Sequence, residues 1–184
     1  MGDYAGLTVQ GANRYDNLGR TVADAGDING DGIGDFIVSA PYADEFGEVY
    51  SFNGSAYVVF GSADGPADLS VDALDGTNGF RIVADGARSG EDSPGYADYY
   101  AIGTFADGIG DINGDGIDDI VVAGRTGRYY YEAQYARPNF VYVIFGRDAA
   151  VDGDFDATVN VADLGQPDAA DGFQITGVDG IVSE

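Results

Sequence analysis

A nine-residue stretch written twice, DINGDGIGD at 27–35 and DINGDGIDD at 111–119, constrains this chain more than any other feature. Each copy puts a side-chain oxygen at its first, third, fifth and ninth positions: Asp27, Asn29, Asp31 and Asp35, then Asp111, Asn113, Asp115 and Asp119. A loop with that alternation wraps its oxygens around one point, which suits calcium, a hard cation that takes six to eight oxygen ligands from carboxylates, amides, backbone carbonyls and water. Glycine at the sixth position, Gly32 and Gly116, permits the positive φ that turns the chain around the ion. The backbone carbonyls of Ile33 and Ile117 then face the metal while their side chains pack elsewhere. Two Ca²⁺ sites are the expectation.

The first six positions also fit an EF-hand, but its twelfth-position Glu and following helix are missing. Position twelve is Val38 or Val122, and the runs that follow the nonapeptides, FIVSA and IVVAG, are short, β-branched and apolar, as in a buried strand. Asp35 and Asp119 must then close the cage, with each loop lying between two strands. Asp-Gly and Asn-Gly also make ordinary hairpin turns. Two nearly identical copies favour the cage.

The loops mark an internal repeat. The second lies 84 residues after the first; YVVFG at 57–61 recurs as YVIFG at 142–146, and FRIVADG at 80–86 is echoed by FQITGVDG at 173–180. In the first copy LTVQG (7–11) and TVADAGD (21–27) read as short strands around a polar turn, followed by DFIVSAP, SAYVVFG and GFRIVAD. The second copy predicts strands near 101–106, 119–124, 140–146 and 173–177. VDALDG (71–76) and NVADLG (160–165) each suit one short helical turn. With no longer helical periodicity and with 30 glycines, the class is all-β.

The second copy departs from the first by an insertion, GEDSPGYADYY, before its metal loop, and by RTGRYYYEAQYARPN (125–139) in place of PYADEFGEVYSFNG. That loop gathers Arg128, Tyr129, Tyr130, Tyr131 and Tyr135 with Arg125 and Arg137, a basic, aromatic patch in an acidic chain. Tyr and Arg are favoured at binding surfaces; equally, such tyrosines pack against neighbouring blades. VDGDFDA, with Asp152, Asp154 and Asp156, alternates like a metal loop but lacks the glycine and the closing acid, and reads as a solvated hairpin tip.

Composition narrows the chemistry. Lys+Arg 8 against Asp+Glu 32 gives a net charge of -24, a field that repels nucleic acid and anionic membranes. All the basic residues are arginine, and Cys and His are absent. That removes disulfides, thiolate and most zinc sites, the Ser-His-Asp triad and the Ser-Lys dyad. Paired carboxylates remain, but nothing marks any pair off from solvated loop acids. The expectation is a non-enzyme. MGDYAGLTVQ shows neither a basic n-region nor an apolar h-region, and no apolar run approaches a membrane-spanning length.

These residues resemble FG-GAP repeats, the blades of the integrin α-type β-propeller. Phe60-Gly61 and Phe145-Gly146 stand for the Phe-Gly; Ser39-Ala40-Pro41 and Ala123-Gly124-Arg125 stand, altered, for the Gly-Ala-Pro. The metal loops match the family's calcium consensus at every ligand position. The resemblance implies two four-stranded blades of an incomplete propeller: blade 1 at about 21–83, blade 2 at about 101–177, with 1–20 and 178–184 parts of adjoining repeats. It also implies calcium in the loop between the first two strands of each blade. Such repeats are typical of secreted or cell-surface proteins in adhesion and interaction. A protein or carbohydrate ligand and further blades, or self-association, are the expected partners, with no nucleic acid and no membrane insertion. A carbohydrate receptor using the Tyr/Arg loop, or an accessory domain of a secreted hydrolase, is the alternative.

Overall fold

The computed structural model describes residues 6–43, 53–65, 67–84, 98–128, 140–164 and 171–176. Nearly all the regular structure is β, and among the described residues the only α-helix is one turn, Ala149–Asp152. No helix of the described residues is long and apolar enough to cross a membrane.

The first blade is built from β2 (Val22–Gly26), β3 (Asp35–Ala40), β4 (Ser55–Val59) and β6 (Gly79–Val83), antiparallel in that order. The second is built from β7 (Asp98–Gly110), β8 (Asp119–Arg128), β9 (Phe140–Ile144) and β11 (Gly172–Thr176). Their registers correspond: Val22 faces Val38 as Ala106 faces Val122, and Gly26 faces Asp35 as Gly110 faces Asp119. The repeat read from the sequence is thus a repeat of hydrogen-bonded partners.

The two sheets stack face to face over the larger core. Ile37, Val58, Phe80 and Ile82 of the first blade meet Ile120, Val122, Tyr142 and Ile144 of the second. Alternation along each strand sends Val38, Tyr57 and Val59 to the first blade's other face, against Val71 and Leu74. Phe155 is inserted between the blades, stacked on Phe80 with ring centroids 4.4 Å apart, and the Arg147 guanidinium lies over the Phe155 ring, 4.4 Å from its centroid. Each fully buried apolar side chain of this size contributes about 1.5–3 kcal/mol, so the stacking face carries much of the fold.

Two short strands in the connections make parallel pairs. β10 (Thr158–Asn160) pairs in parallel with β6, and β5 (Leu69–Ser70) pairs in parallel with β1 (Val9–Gln10). A 3-10 turn follows each, at Val71–Ala73 and Val161–Asp163, where a single short helical turn was expected. Ser70 and Asn160 cap them, accepting from the amides of Asp72 and Ala162. β1 therefore pairs with β5, not across the polar turn with β2.

Two further expectations are corrected. The Asp152–Asp156 stretch is no hairpin tip: Asp148 caps the helical turn at Ala149–Asp152, and Phe155 is buried between the blades. Residues 125–128 are strand, where a loop was expected from 125. β3 stops at Ala40, before Pro41, which lacks an amide for the ladder. Arg125 in the matching place lets β8 run on to Arg128, paired as far as Asp98 of a correspondingly longer β7.

Candidate metal centre

Both nine-residue loops fold around the carboxylate at their first position. In the first, Asp27 accepts the amides of Asp31 (2.9 Å) and Gly32 (2.8 Å). Asn29 Oδ1 accepts the same Asp31 amide, and Asp31 Oδ1 accepts that of Ile33. In the second, Asp111 accepts from Gly114, Asp115 and Gly116, Asn113 from Asp115, and Asp115 from Ile117. Gly32 and Gly116 take the left-handed φ the turn demands, 85° and 96°.

The ninth position does something the spacing alone did not reveal. Asp35 is buried, and its two oxygens accept the amides of Ile28 (3.0 Å) and Gly61 (2.8 Å). Asp119 likewise accepts from Ile112 and Gly146, both at 2.9 Å. Each closing aspartate thus ties its loop to the glycine of the Phe-Gly pair at the end of β4 or β9. That glycine is required by contact as well: a Cβ at Gly61 would overlap the Gly34 carbonyl, and one at Gly146 the Asp118 carbonyl. Ile33 and Ile117, partly buried, press a methyl group on the same glycines.

Burial raises the Asp35 carboxyl to about 6; the Gly61 and Ile28 amides oppose that rise, and the Asp31 and Asp27 charges add to it. The Asp31 and Asp27 carboxylates are thus near enough to Asp35 to act on its charge. Among the described residues no three Asp, Glu, His or Cys side chains stand at the spacing of a closed metal shell. In donor chemistry the loop fits a hard cation: its side-chain donors are all oxygen, and neither thiolate nor imidazole competes.

Arg128 closes β8, and only its backbone is described; Tyr129, Tyr130, Tyr131 and Tyr135 lie outside the described residues.

Stacked four-stranded β-blades, each with an acidic loop between its first two strands, define a propeller-type repeat unit. Residues 20–59 match the FG-GAP repeat. Over 116 residues the chain is 32% identical to "Integrin alpha pat-2" of Caenorhabditis elegans and 30% identical to the protein of that name from Caenorhabditis briggsae. Each match covers 63% of this chain and 8% of the relative, so the chain spans a small part of the relatives' length. No solved structure matches it.

Proposed function

We propose that this chain is a calcium-stabilised, non-catalytic interaction module of a secreted or cell-surface protein, acting in adhesion or ligand recognition. The observation that carries the reading is the recurrence, in two loops, of one hydrogen-bond network around an all-oxygen donor set. Asp27, Asn29, Asp31, Asp35 and the Ile33 carbonyl would hold one Ca²⁺, and Asp111, Asn113, Asp115, Asp119 and the Ile117 carbonyl a second. A bound cation neutralises carboxylates that otherwise repel, so its binding energy becomes folding energy. The similarity to an integrin alpha chain supports the adhesive role, and the absence of His, Cys and Lys supports a non-catalytic one.

Protein or carbohydrate ligands are the proposed partners, with Arg128 at the end of β8 and Tyr129, Tyr130, Tyr131 and Tyr135 of the 125–139 segment as a candidate surface. Further blades, or other copies of the chain, are proposed to cover the second blade's open face. Phe173 and Ile175 there are 37% and 49% exposed, whereas their counterparts Phe80 and Ile82 in the first blade are fully buried. Isothermal titration of the chelator-treated chain with Ca²⁺ tests the metal reading. Two sites are expected, reduced to one by Asp31→Ala or by Asp115→Ala; absence of any binding heat overturns it.

A further inference from the structure

The two nonapeptides differ at one position, the eighth, where the first loop has Gly34 and the second Asp118. Asp118 falls outside the alternation of candidate ligands, yet its Oδ2 accepts the amide of Asp27 at 2.9 Å. Asp27 opens the other loop, in the other blade. The Asp118 amide also donates to the Asp27 carbonyl at 3.4 Å. Gly34, without a side chain, can offer nothing equivalent on its own side.

The rest of the first loop is seated on the second blade in the same way. The amides of Arg147 and Ala149 donate to the carbonyls of Ile28 and Asn29, both at 3.0 Å. Ile28 is fully buried there, while its counterpart Ile112 is 48% exposed. Gly26 leaves room for the incoming carboxylate, since a Cβ at that position would overlap Asp118; at the counterpart Gly110 the same space is open. Among the described residues, one loop is braced from a neighbouring blade and the other is not.

We propose that Asp118 is a positioning residue for the first loop, acting across the blade boundary, and that it makes the two loops unequal calcium sites with the first the tighter. The inference rests on the calcium reading above. Its physical basis is preorganisation: a carboxylate that fixes the backbone of the first ligand reduces the ordering that the cation must impose, as partners behind metal ligands commonly do.

The test is calorimetric Ca²⁺ titration of the full chain in two single-loop backgrounds, Asp115→Ala, which leaves the first loop, and Asp31→Ala, which leaves the second. Asp118→Ala is expected to weaken the first-loop protein about tenfold and the second-loop protein less than about twofold. Asp118→Asn, which keeps an oxygen acceptor but removes the charge, is expected to restore most of the first-loop affinity. A purely Coulombic role predicts the reverse, with Asp118→Asn as damaging as Asp118→Ala and the second loop, which contains the residue, affected at least as strongly. That result, or a first-loop affinity unchanged by Asp118→Ala, overturns the proposal while leaving the calcium reading intact. Failure of both single-loop parents to bind Ca²⁺ overturns the calcium reading, and the proposal with it. Melting curves without metal check that Asp118→Ala is folded, and if it is not, the two single-loop parents decide: the proposal requires the first-loop protein to bind Ca²⁺ more tightly than the second-loop protein, and equal or reversed affinities overturn it.

Discussion

The amide of Gly61 donates to Asp35 at 2.8 Å and so fastens the end of β4 to the closing residue of the first loop. The Phe-Gly pair and the acidic loop, some 25 residues apart in the chain, are two halves of one joint. Phe60 faces the Phe80 and Phe155 rings at 6.0 Å, while Gly61 brings its backbone against Gly34. Gly61→Ala should therefore cost about 1–3 kcal/mol through forced backbone movement. Gly34→Ala, with open space around it, should stay within about 0.5 kcal/mol. Urea unfolding of the two variants measures the difference; equal costs would show that the joint is not sterically closed.

Removal of the closing carboxylate tests the same joint from its other side. Asp119→Ala leaves the amides of Ile112 and Gly146 without their acceptor. An unpaired buried donor, as the Gly146 amide would become, costs about 1–3 kcal/mol. The variant should lose stability even in chelator, whereas Asp115→Ala, at an exposed loop position, should lose it chiefly when Ca²⁺ is present. Thermal melts with and without metal separate the two behaviours.

Metal itself should act through mass action. At a free Ca²⁺ concentration one hundred times Kd, a single site adds about 2.7 kcal/mol, and chelator should remove that increment reversibly. Mg²⁺, which demands a smaller octahedral shell and gives up its waters reluctantly, should restore little of it. A melting temperature indifferent to chelator would contradict the two-site reading.

Strands and loops were legible in the sequence because they are local: β-branched runs, the spacing of side-chain oxygens and the 84-residue recurrence all lie within short windows. What was not legible depends on partners far apart in the chain. β10 is three residues whose strand character comes from pairing with Arg81, Ile82 and Val83. Phe155, set among acids, is buried only because the blades close on either side of it. The bond that ties Asp35 to Gly61 could not be read from spacing, since Gly61 is brought to it by the sheet. Two signals were readable in retrospect: the exchange of Pro41 for Arg125, which lengthens β8, and the exchange of Gly34 for Asp118.

Phe155 offers a direct measure of how far the two blades depend on each other. It touches Phe60 and Phe80 of the first blade while sitting in the β9–β10 connection of the second. Phe155→Ala should cost about 3–5 kcal/mol. Arg147→Ala should cost less, about 0.5–2 kcal/mol, because it removes a cation–π contact and a partly exposed ion pair with Asp171. If Phe155→Ala instead produced two separate unfolding transitions, the blades would be shown to fold independently once the plug is gone.

The open face of the second blade sets the last comparison. Phe80 and Phe173 occupy corresponding strand positions, opposite Val58 and Val143, but Phe80 is fully buried against the neighbouring blade while Phe173 is 37% exposed. A serine at Phe80 would put a hydroxyl and a void into the larger core and should unfold the chain or cost about 3–5 kcal/mol. A serine at Phe173, together with one at Ile175, removes apolar area that water already reaches and should cost about 1 kcal/mol or less. If that face is where further blades or copies dock, light scattering after size exclusion should show concentration-dependent association of the unaltered chain and its loss in the double variant. A compact monomer at all concentrations would count against self-association, because a stacking face of this chemistry would then be stable in water without a partner.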